Sequence, residues 1–222
     1  MIVAERKKIP ELVEMLKRYK KILVLGCGTC VTVCLAGGER EVSIISSALR
    51  IASKNRGYDF EIDEMTIERQ CDNVFIEEAA EAIAKHDVIL SLGCGAGVQA
   101  IAERYPEKPV YAGLDTAFLG VLEERGVWTE KCSACGSCVL HKYGGICPIT
   151  RCAKHMLNGP CGGSREDRCE VRPDRPCAWQ LIYQRLKGIG ELDRLKEIEM
   201  PKDWSTSLDG GVRTLIREDH RI

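Results

Sequence analysis

The spacing of its cysteines is the feature that most constrains what this chain can be. Eight of the thirteen cysteines fall within 46 residues, from Cys132 to Cys177. This density exceeds what an apolar core needs from cysteine, and eight thiols would supply two tetrathiolate metal sites. The eight are Cys132, Cys135, Cys138, Cys147, Cys152, Cys161, Cys169 and Cys177.

The first three of these cysteines form a C-x2-C-x2-C run, and Cys147 is followed by a proline. A triple run with a Cys-Pro is typical of iron–sulfur ligation, in which a tight loop brings several thiolates to one compact cluster. Eight residues separate the run from Cys147, whereas ferredoxin-like motifs have about three. Sequence order therefore does not assign the eight ligands to particular clusters. The pattern as a whole predicts an electron carrier.

Two other uses of the thiols compete with this interpretation. Disulfides need an oxidising compartment, yet residues 1–10 contain no apolar stretch of signal-peptide length, so we expect a reducing cytoplasm. The cysteine count is also odd, and C-x2-C runs have poor geometry for structural bridges. Structural zinc is the stronger alternative, because zinc sites built from four cysteines also use C-x2-C knuckles. Zinc in at least one site stays open.

Charge and hydropathy exclude two classes of partner. The net charge of −1 gives no basic footprint for nucleic acid. No run of about 18 apolar residues exists to span a membrane. At 222 residues the chain can bury one core and carry one small metal-stapled module beside it.

Residues 1–126 alternate between strand-like and helix-like patterns, which predicts an α/β domain with a doubly wound parallel sheet. The predicted helices cover residues 10–19, 41–56, 76–86 and 98–105. The predicted strands cover residues 21–25, 60–67, 87–92 and 109–114.

Two further regions follow this domain. Residues 127–183 are rich in Cys, Gly and Pro with little apolar periodicity, so metal must hold this module together. Residues 184–222 form a helical and irregular tail, which continues a helical pattern over residues 178–198. The tail contains Trp204, Leu208, Leu215 and Ile216. Folding back onto its own domain and docking onto a partner are equally compatible with this pattern.

The α/β domain holds the other five cysteines, and its strand ends bring them together. Gly26-Cys27-Gly28 and Gly93-Cys94-Gly95 are near-copies, each at the carboxyl end of a predicted strand. Such strands are expected to be neighbours at the switch point, where ligands bind in doubly wound sheets. Cys71 follows the strand at residues 60–67 and belongs to the same rim.

Cys30 and Cys34 are four residues apart at a predicted helix start, so their thiols are expected on one face. The free N–H groups there would stabilise an anionic cluster. We therefore expect a third [4Fe–4S] site with Cys30, Cys34 and Cys94 as ligands and either Cys27 or Cys71 as the fourth. A nucleotide-binding loop is the weaker alternative, because Val31 replaces the third glycine of G-x-G-x-x-G.

Other chemistry-bearing residues are less informative. His141 and His155 lie among the module's cysteines, but eight thiols already fill two sites, so we expect them beside the metal ligands or at the surface. No Ser/His/Asp arrangement, carboxylate pair or phosphate loop is present, so no catalytic residue is predicted.

One stretch of the module carries a family resemblance. Arg151-Cys152-Ala153 followed by Gly159-Pro160-Cys161 resembles the C-terminal domain associated with methylenetetrahydrofolate reductase, and residues 177–183 also look like that family. The N-terminal run from Gly26 to Cys34 is similar to the small MetV-type subunit of two-subunit bacterial reductases.

The resemblance implies an iron–sulfur subunit without catalytic residues, part of an oxidoreductase of one-carbon metabolism. Such a subunit pairs with a MetF-type flavoprotein in a hetero-oligomer and relays electrons between a donor protein and the flavin. A (β/α)8 flavin barrel takes about 250 residues, so flavin and folate belong to the partner.

Two to three [4Fe–4S] clusters are implied, with zinc in one site as an alternative. A zinc-stapled scaffold without redox role is the alternative function. A corrinoid- or nucleotide-binding domain with structural cysteines is a weaker third.

Overall fold

The computed structural model describes residues 1–221 and divides the chain into two compact units, Met1–Thr129 and Glu130–Ile222. The strands are β1 (Ile2–Arg6), β2 (Lys21–Cys27), β3 (Glu61–Ile67), β4 (Val88–Ser91), β5 (Val110–Ala112), β6 (Leu114–Glu124) and β7 (Val127–Cys132). The helices are α1 (Ile9–Leu16), α2 (Cys30–Val33), α3 (Glu39–Asn55), α4 (Asn73–Glu77), α5 (Ala80–Lys85), α6 (Gly95–Arg104), α7 (Pro148–Arg151) and α8 (Ala178–Gly188).

A four-stranded parallel sheet with the order β3-β2-β4-β5 forms the centre of the first unit. From β2 the chain crosses to β3 on one side and then returns to β4 on the other, which places the switch point between β2 and β4. Leu25 lies opposite Ser91 in this pairing. The prediction that the two Gly-Cys-Gly turns follow neighbouring strands is confirmed.

Helices cover both faces of this sheet, because successive residues of its central strands point to opposite sides. Ile22 and Val24 pack with residues of α1 and α3, whereas Leu23 and Leu25 pack with residues of α4, α5 and α6. The α/β prediction with helices on both faces is confirmed.

A second, antiparallel sheet with the order β1-β6-β7 was not predicted. Strand β1 pairs with β6 with a bulge between Val3 and Ala4. The hairpin between β6 and β7 turns at Gly126, whose φ of +91° suits a residue without a Cβ. These strands mix exposed charged residues with few apolar ones, so their pattern is weak.

Two predicted helices are wrong in length. The helix expected over residues 76–86 is two short helices, α4 and α5, that are separated at Glu78 and Ala79. The helix expected over residues 178–198 ends at Gly188, and a 3-10 turn at Leu192–Lys196 follows. Gly190 has a φ of +75°, which ends the helical path.

The second unit has a small apolar core and few regular elements. Its fully packed members are Tyr143, Cys177, Trp179, Ile182 and Leu186. Among residues 1–221, no helix has the length and apolar character to cross a membrane.

The tail folds back onto its own unit, against the C-x2-C-x2-C loop. Thr206 Oγ1 donates to Cys135 O at 3.0 Å, and Arg213 Nη1 donates to Ala134 O at 2.9 Å. Of the two alternatives for the tail, these contacts favour folding back, although Leu208 and Leu215 remain exposed.

Candidate metal centres

Three thiols of the first unit meet at the carboxyl rim of the parallel sheet. Cys27 is the last residue of β2, Cys94 caps the N-terminus of α6, and Cys71 follows β3. The pKa of Cys71 is raised, first by burial and then by the nearby thiols of Cys94 and Cys27. Cys30 begins α2 only three residues after Cys27 and is partly exposed. Three thiols from three loops therefore lie close together at one edge of the sheet, and Cys30, whose thiol acts on Cys34, follows them in the first loop.

Gln70, for which no sequence pattern predicted a role, fixes this edge from within. Its side chain is 1% exposed, and its Nε2 donates to Leu25 O at 2.8 Å. Its Oε1 accepts from Ser91 Oγ at 2.5 Å, and that hydroxyl in turn accepts from Gly93 N at 3.1 Å. The amide therefore links the ends of β2 and β4 and holds the neighbouring Cys71 between them.

Gly93, which precedes Cys94, lies so close to the Gln70 amide that a side chain would not fit there. A Cβ on Gly93 would lie 2.3 Å from Gln70 Oε1, and one on Gly97 would lie 2.7 Å from Gln70 Cβ. The close approach of backbone to amide is possible only without side chains at these two positions. The Gly-Cys-Gly turn after β4 thus has a packing explanation.

Replacing Gln70 by leucine is expected to destabilise the first unit by about 1–3 kcal/mol, because it leaves the buried Ser91 O–H without its acceptor and removes one of the two hydrogen bonds of the Leu25 carbonyl, which keeps the bond from Leu92 N. Urea unfolding of the full chain measures this change. Gln99→Leu is the matched control, since Gln99 lies exposed on α6 and bonds only Gly95 O, at 3.0 Å. Equal stability of the two variants would contradict the role of Gln70.

Cys34 lies in the apolar core, in the same buried cluster as Cys27. It is 6% exposed, and its Sγ lies 3.6 Å from Val31 O and 3.9 Å from Ala4 O. Burial raises the pKa of the Cys34 thiol. The expected helical relation to Cys30 is present, because Cys34 N donates to Cys30 O at 3.1 Å and the Cys30 thiol also raises the pKa of Cys34. The helix α2 ends at Val33, and Leu35 then adopts a φ of +57°.

The C-x2-C-x2-C run forms an exposed loop, and backbone N–H groups of this loop and of α7 donate to cysteine sulfurs. Ala134 N donates to Cys132 Sγ at 3.3 Å, and Thr150 N donates to Cys147 Sγ at 3.4 Å. Thr150 Oγ1 also lies 3.4 Å from Ser133 Oγ. This contact brings the start of α7, with Cys147, against the loop. We group the run and Cys147 as the loop set, Cys132, Cys135, Cys138 and Cys147.

The last four cysteines, Cys152, Cys161, Cys169 and Cys177, line one cavity of about 20 Å³. Backbone bonds hold their loops together: Cys177 N donates to Asp167 O at 2.7 Å and Cys169 N to Arg175 O at 3.0 Å. We call these four residues the thiol cage.

An ion pair lies at the wall of the thiol cage. Glu170 Oε2 lies 3.8 Å from Cys161 Sγ, and Lys154 pairs with the same carboxylate. This pairing lowers the pKa of Glu170 and raises that of Lys154, to which the Cys161 thiol also contributes.

Both histidines of the module lie at the surface. His155 Nδ1 bonds Ile149 O at 2.5 Å, and His141 is exposed. Across residues 1–221, no three Cys, His, Asp or Glu side chains already stand in the arrangement of a formed metal site.

Known proteins resemble part of this chain. Residues 111–205 match a family described as methylene-tetrahydrofolate reductase C terminal. No curated protein sequence matches the chain. A crystal structure of an extracellular ligand-binding receptor from Verminephrobacter eiseniae ef01-2 aligns with 18% identity and a TM-score of 0.35, over 47% of this chain and 28% of the receptor, too weakly to carry an argument.

The family match contains all eight cysteines of the module and most of the second unit. The same segment carries the Arg151-Cys152-Ala153 and Gly159-Pro160-Cys161 motifs. Residues 111–205 are thus related to the C-terminal family of methylene-tetrahydrofolate reductases.

Proposed function

We propose that this chain is an iron–sulfur electron-transfer subunit that serves a methylenetetrahydrofolate reductase. One observation carries the proposal: the fold gathers cysteines that are distant in sequence, with Cys152, Cys161, Cys169 and Cys177 lining one cavity and the Cys71 thiol close to those of Cys27 and Cys94. Such convergence fits metal ligation, since iron–sulfur clusters and structural zinc each take four thiolates.

The rim set, Cys27, Cys30, Cys71 and Cys94, fits a [4Fe–4S] cluster. Its thiols come from three loops at the switch point of the sheet, where a parallel α/β fold binds its ligands. We choose Cys27 and Cys71 over Cys34, which the helical spacing had favoured. The Cys71 thiol lies close to those of Cys27 and Cys94, whereas the thiol that acts on Cys34 is that of Cys30.

The loop set, Cys132, Cys135, Cys138 and Cys147, fits a second [4Fe–4S] cluster. The two backbone N–H groups that already point at Cys132 and Cys147 sulfurs are the kind of donors that tune cluster potential. When bound, such clusters supply one-electron transfer. The chain's own residues supply the ligands, the N–H donors and the tail that covers one side of the loop.

The thiol cage fits a single ion better than a cluster. A cavity of about 20 Å³ has room for roughly one water-sized sphere, whereas a cluster brings four irons and four sulfides. Tetrahedral coordination by four cysteines is the usual form of a structural zinc site. We assign zinc to this cage and a structural role to that zinc.

The family match supports the choice of partner. The two sheets of the described residues have four and three strands, and neither forms the eight-stranded (β/α)8 barrel of a flavin site. The proposed partner is therefore a MetF-type flavoprotein, which holds flavin and folate, and a separate donor protein supplies electrons. The zinc proposed for the thiol cage favours a second candidate function. In it the chain is a scaffold, and all of its bound metal is structural.

A pair of variants tests the rim assignment. Cys94→Ser is expected to remove about four irons per chain, since it deletes one ligand of a four-thiolate cluster. Cys34→Ala, which alters a thiol close to Cys30 in sequence but packed in the core, is expected to keep the full iron content. Iron and sulfide analysis of anaerobically prepared protein measures both. Loss of iron in Cys34→Ala with retention in Cys94→Ser would overturn the assignment.

A further inference from the structure

A second cavity in the same unit shares one wall with the thiol cage. It measures about 430 Å³, and its walls include the rings of Tyr143, Trp179 and Tyr183 and the side chains of Leu157 and Leu195. Trp179 lines both this cavity and the cage. The whole chain has twelve aromatic residues, so three of them around one cavity is a concentration. Volumes of about 300–1,000 Å³ with mostly apolar walls are typical of small-molecule sites.

The inner walls of this cavity are held in place by their own hydrogen bonds. Trp179 is 4% exposed, and its Nε1 donates to Met156 O at 3.0 Å. Tyr143 packs edge-on against it, with ring centroids 5.6 Å apart, and donates its hydroxyl to Leu157 O at 2.9 Å. The polar atoms of both rings are thereby satisfied, and the two buried rings form a fixed apolar floor, while the half-exposed Tyr183 offers a ring face to a ligand.

Two polar groups at the cavity are available to a ligand. The Gln180 amide makes no hydrogen bond with any other residue of the described chain. Arg194 donates to His141 O and, at 3.1 Å, to Glu191 Oε1, and its guanidinium has further N–H groups. By contrast, the Asn158 amide is already committed to the backbone of Glu199, at 2.9 and 2.7 Å. An amide and a cation beside aromatic walls suit a flat ring with acceptor atoms.

We propose that this cavity binds a planar conjugated ring that bears carbonyl or ring-nitrogen acceptors. This chemistry is shared by the isoalloxazine of a flavin and by a naphthoquinone. The ring stacks on the aromatic walls, the Gln180 amide bonds its acceptors, and Arg194 meets an anionic substituent where the ligand has one. The binding needs no electron transfer, so it goes beyond the function proposed above.

Two short segments of chain connect the walls of this cavity to cysteines of the thiol cage. Pro160 lines the cavity and precedes Cys161, and Trp179 lies two residues after Cys177. A metal that draws these two cysteines together therefore also fixes two walls of the cavity. This coupling rests on the proposed zinc site, whereas the ring site itself does not.

Fluorescence titration of the full chain tests the ring site, in a Trp128→Phe, Trp204→Phe background that leaves Trp179 as the only tryptophan. The probes are FMN, which carries a phosphate, and menadione, which does not. We expect saturable quenching with a Kd of about 1–100 µM for at least one probe, the range of a modest small-molecule site. Equilibrium dialysis of FMN on the unsubstituted chain gives a second measure without fluorescence.

Two variants locate the binding. Tyr183→Ala removes a wall that is 45% exposed and is expected to weaken binding by about tenfold. Leu195→Trp fills the cavity and is expected to abolish binding. Tyr58→Ala is the matched control, because Tyr58 stacks on Phe60 in the first unit and should leave binding unchanged.

Metal analysis of the same samples separates the two proposals. Failure of both probes to bind to protein with full metal content would overturn the ring site and leave the electron relay standing. Binding that is unaffected by both Tyr183→Ala and Leu195→Trp would also overturn it. If a probe binds to anaerobically purified protein that contains no iron, the binding would support the ring site and the lack of iron would contradict the relay. Preference for FMN that disappears in Arg194→Gln would identify the anionic substituent as part of the recognised ligand.

Discussion

Substituting Cys161 by serine is expected to unfold most of residues 130–222 while residues 1–129 stay folded. The second unit has only five residues in its apolar core, and the loops between Cys152 and Cys177 contain almost no regular structure. Structural zinc contributes about 10–16 kcal/mol of apparent binding free energy in small domains, which exceeds the stability of about 5–15 kcal/mol that ordinary domains have. Loss of one cage ligand should therefore remove most of the free energy of folding of this unit.

Hydrogen exchange of the full chain measures this effect in each unit separately. Cys161→Ser should lose protection in α8 and retain it in β2 and β4. Cys71→Ser serves as the matched control, since its exposed thiol belongs to the rim, and it should keep the protection of α8. Wild-type protection of α8 in Cys161→Ser would contradict a structural metal at the cage.

Substituting Cys135 by serine is expected to slow electron transfer to the partner flavin by at least about 100-fold, because even changes around metal ligands commonly cost 10–100-fold. The measurement is the anaerobic rate of flavin reduction in the MetF-type partner by a reduced low-potential donor. The flavin content of the partner should not change, since no flavin ligand is altered.

Ser137→Ala is the control within the same loop. The interactions of Ser137 with Lys202 and with the Cys135 thiol use its backbone carbonyl, which alanine keeps. The control should therefore transfer electrons at the wild-type rate. If Cys135→Ser also retains this rate, or if the donor reduces the partner equally well without this chain, the chain is a scaffold.

The sequence was most informative about the parallel sheet and its rim. The runs before Cys27 and Cys94 are strongly apolar and end at glycine. This pattern is typical of buried parallel strands. The adjacency of these two turns then follows from the topology of a doubly wound sheet.

Cys34 shows where local spacing is insufficient. A separation of four residues places Cys30 and Cys34 one helical turn apart, and the bond from Cys34 N to Cys30 O agrees, but the spacing does not tell what that face packs against. Here the Cys34 thiol packs against Ala4 of β1. Because β1 itself was not predicted, nothing in the sequence indicated that this position is part of the core.

The division of the module's cysteines could not be predicted because it depends on how irregular loops return. Cys147 joins the triple run through the contact of Thr150 with Ser133, 17 residues away in sequence. The second cavity was missed for a similar reason. Trp179 and Tyr183 look like ordinary residues of an amphipathic helix, and only the return of residues 157–160 and 194–197 makes them the walls of a cavity.

The most direct test of the proposed electron relay is a count of iron, acid-labile sulfide and zinc in anaerobically purified chain, together with its absorbance near 400 nm. Two [4Fe–4S] clusters and one cage zinc predict about eight irons, eight sulfides and one zinc per chain. About twelve irons without zinc would place a third cluster in the cage and overturn the zinc assignment alone. Fewer than about four irons per chain, with zinc in their place, would contradict the electron relay.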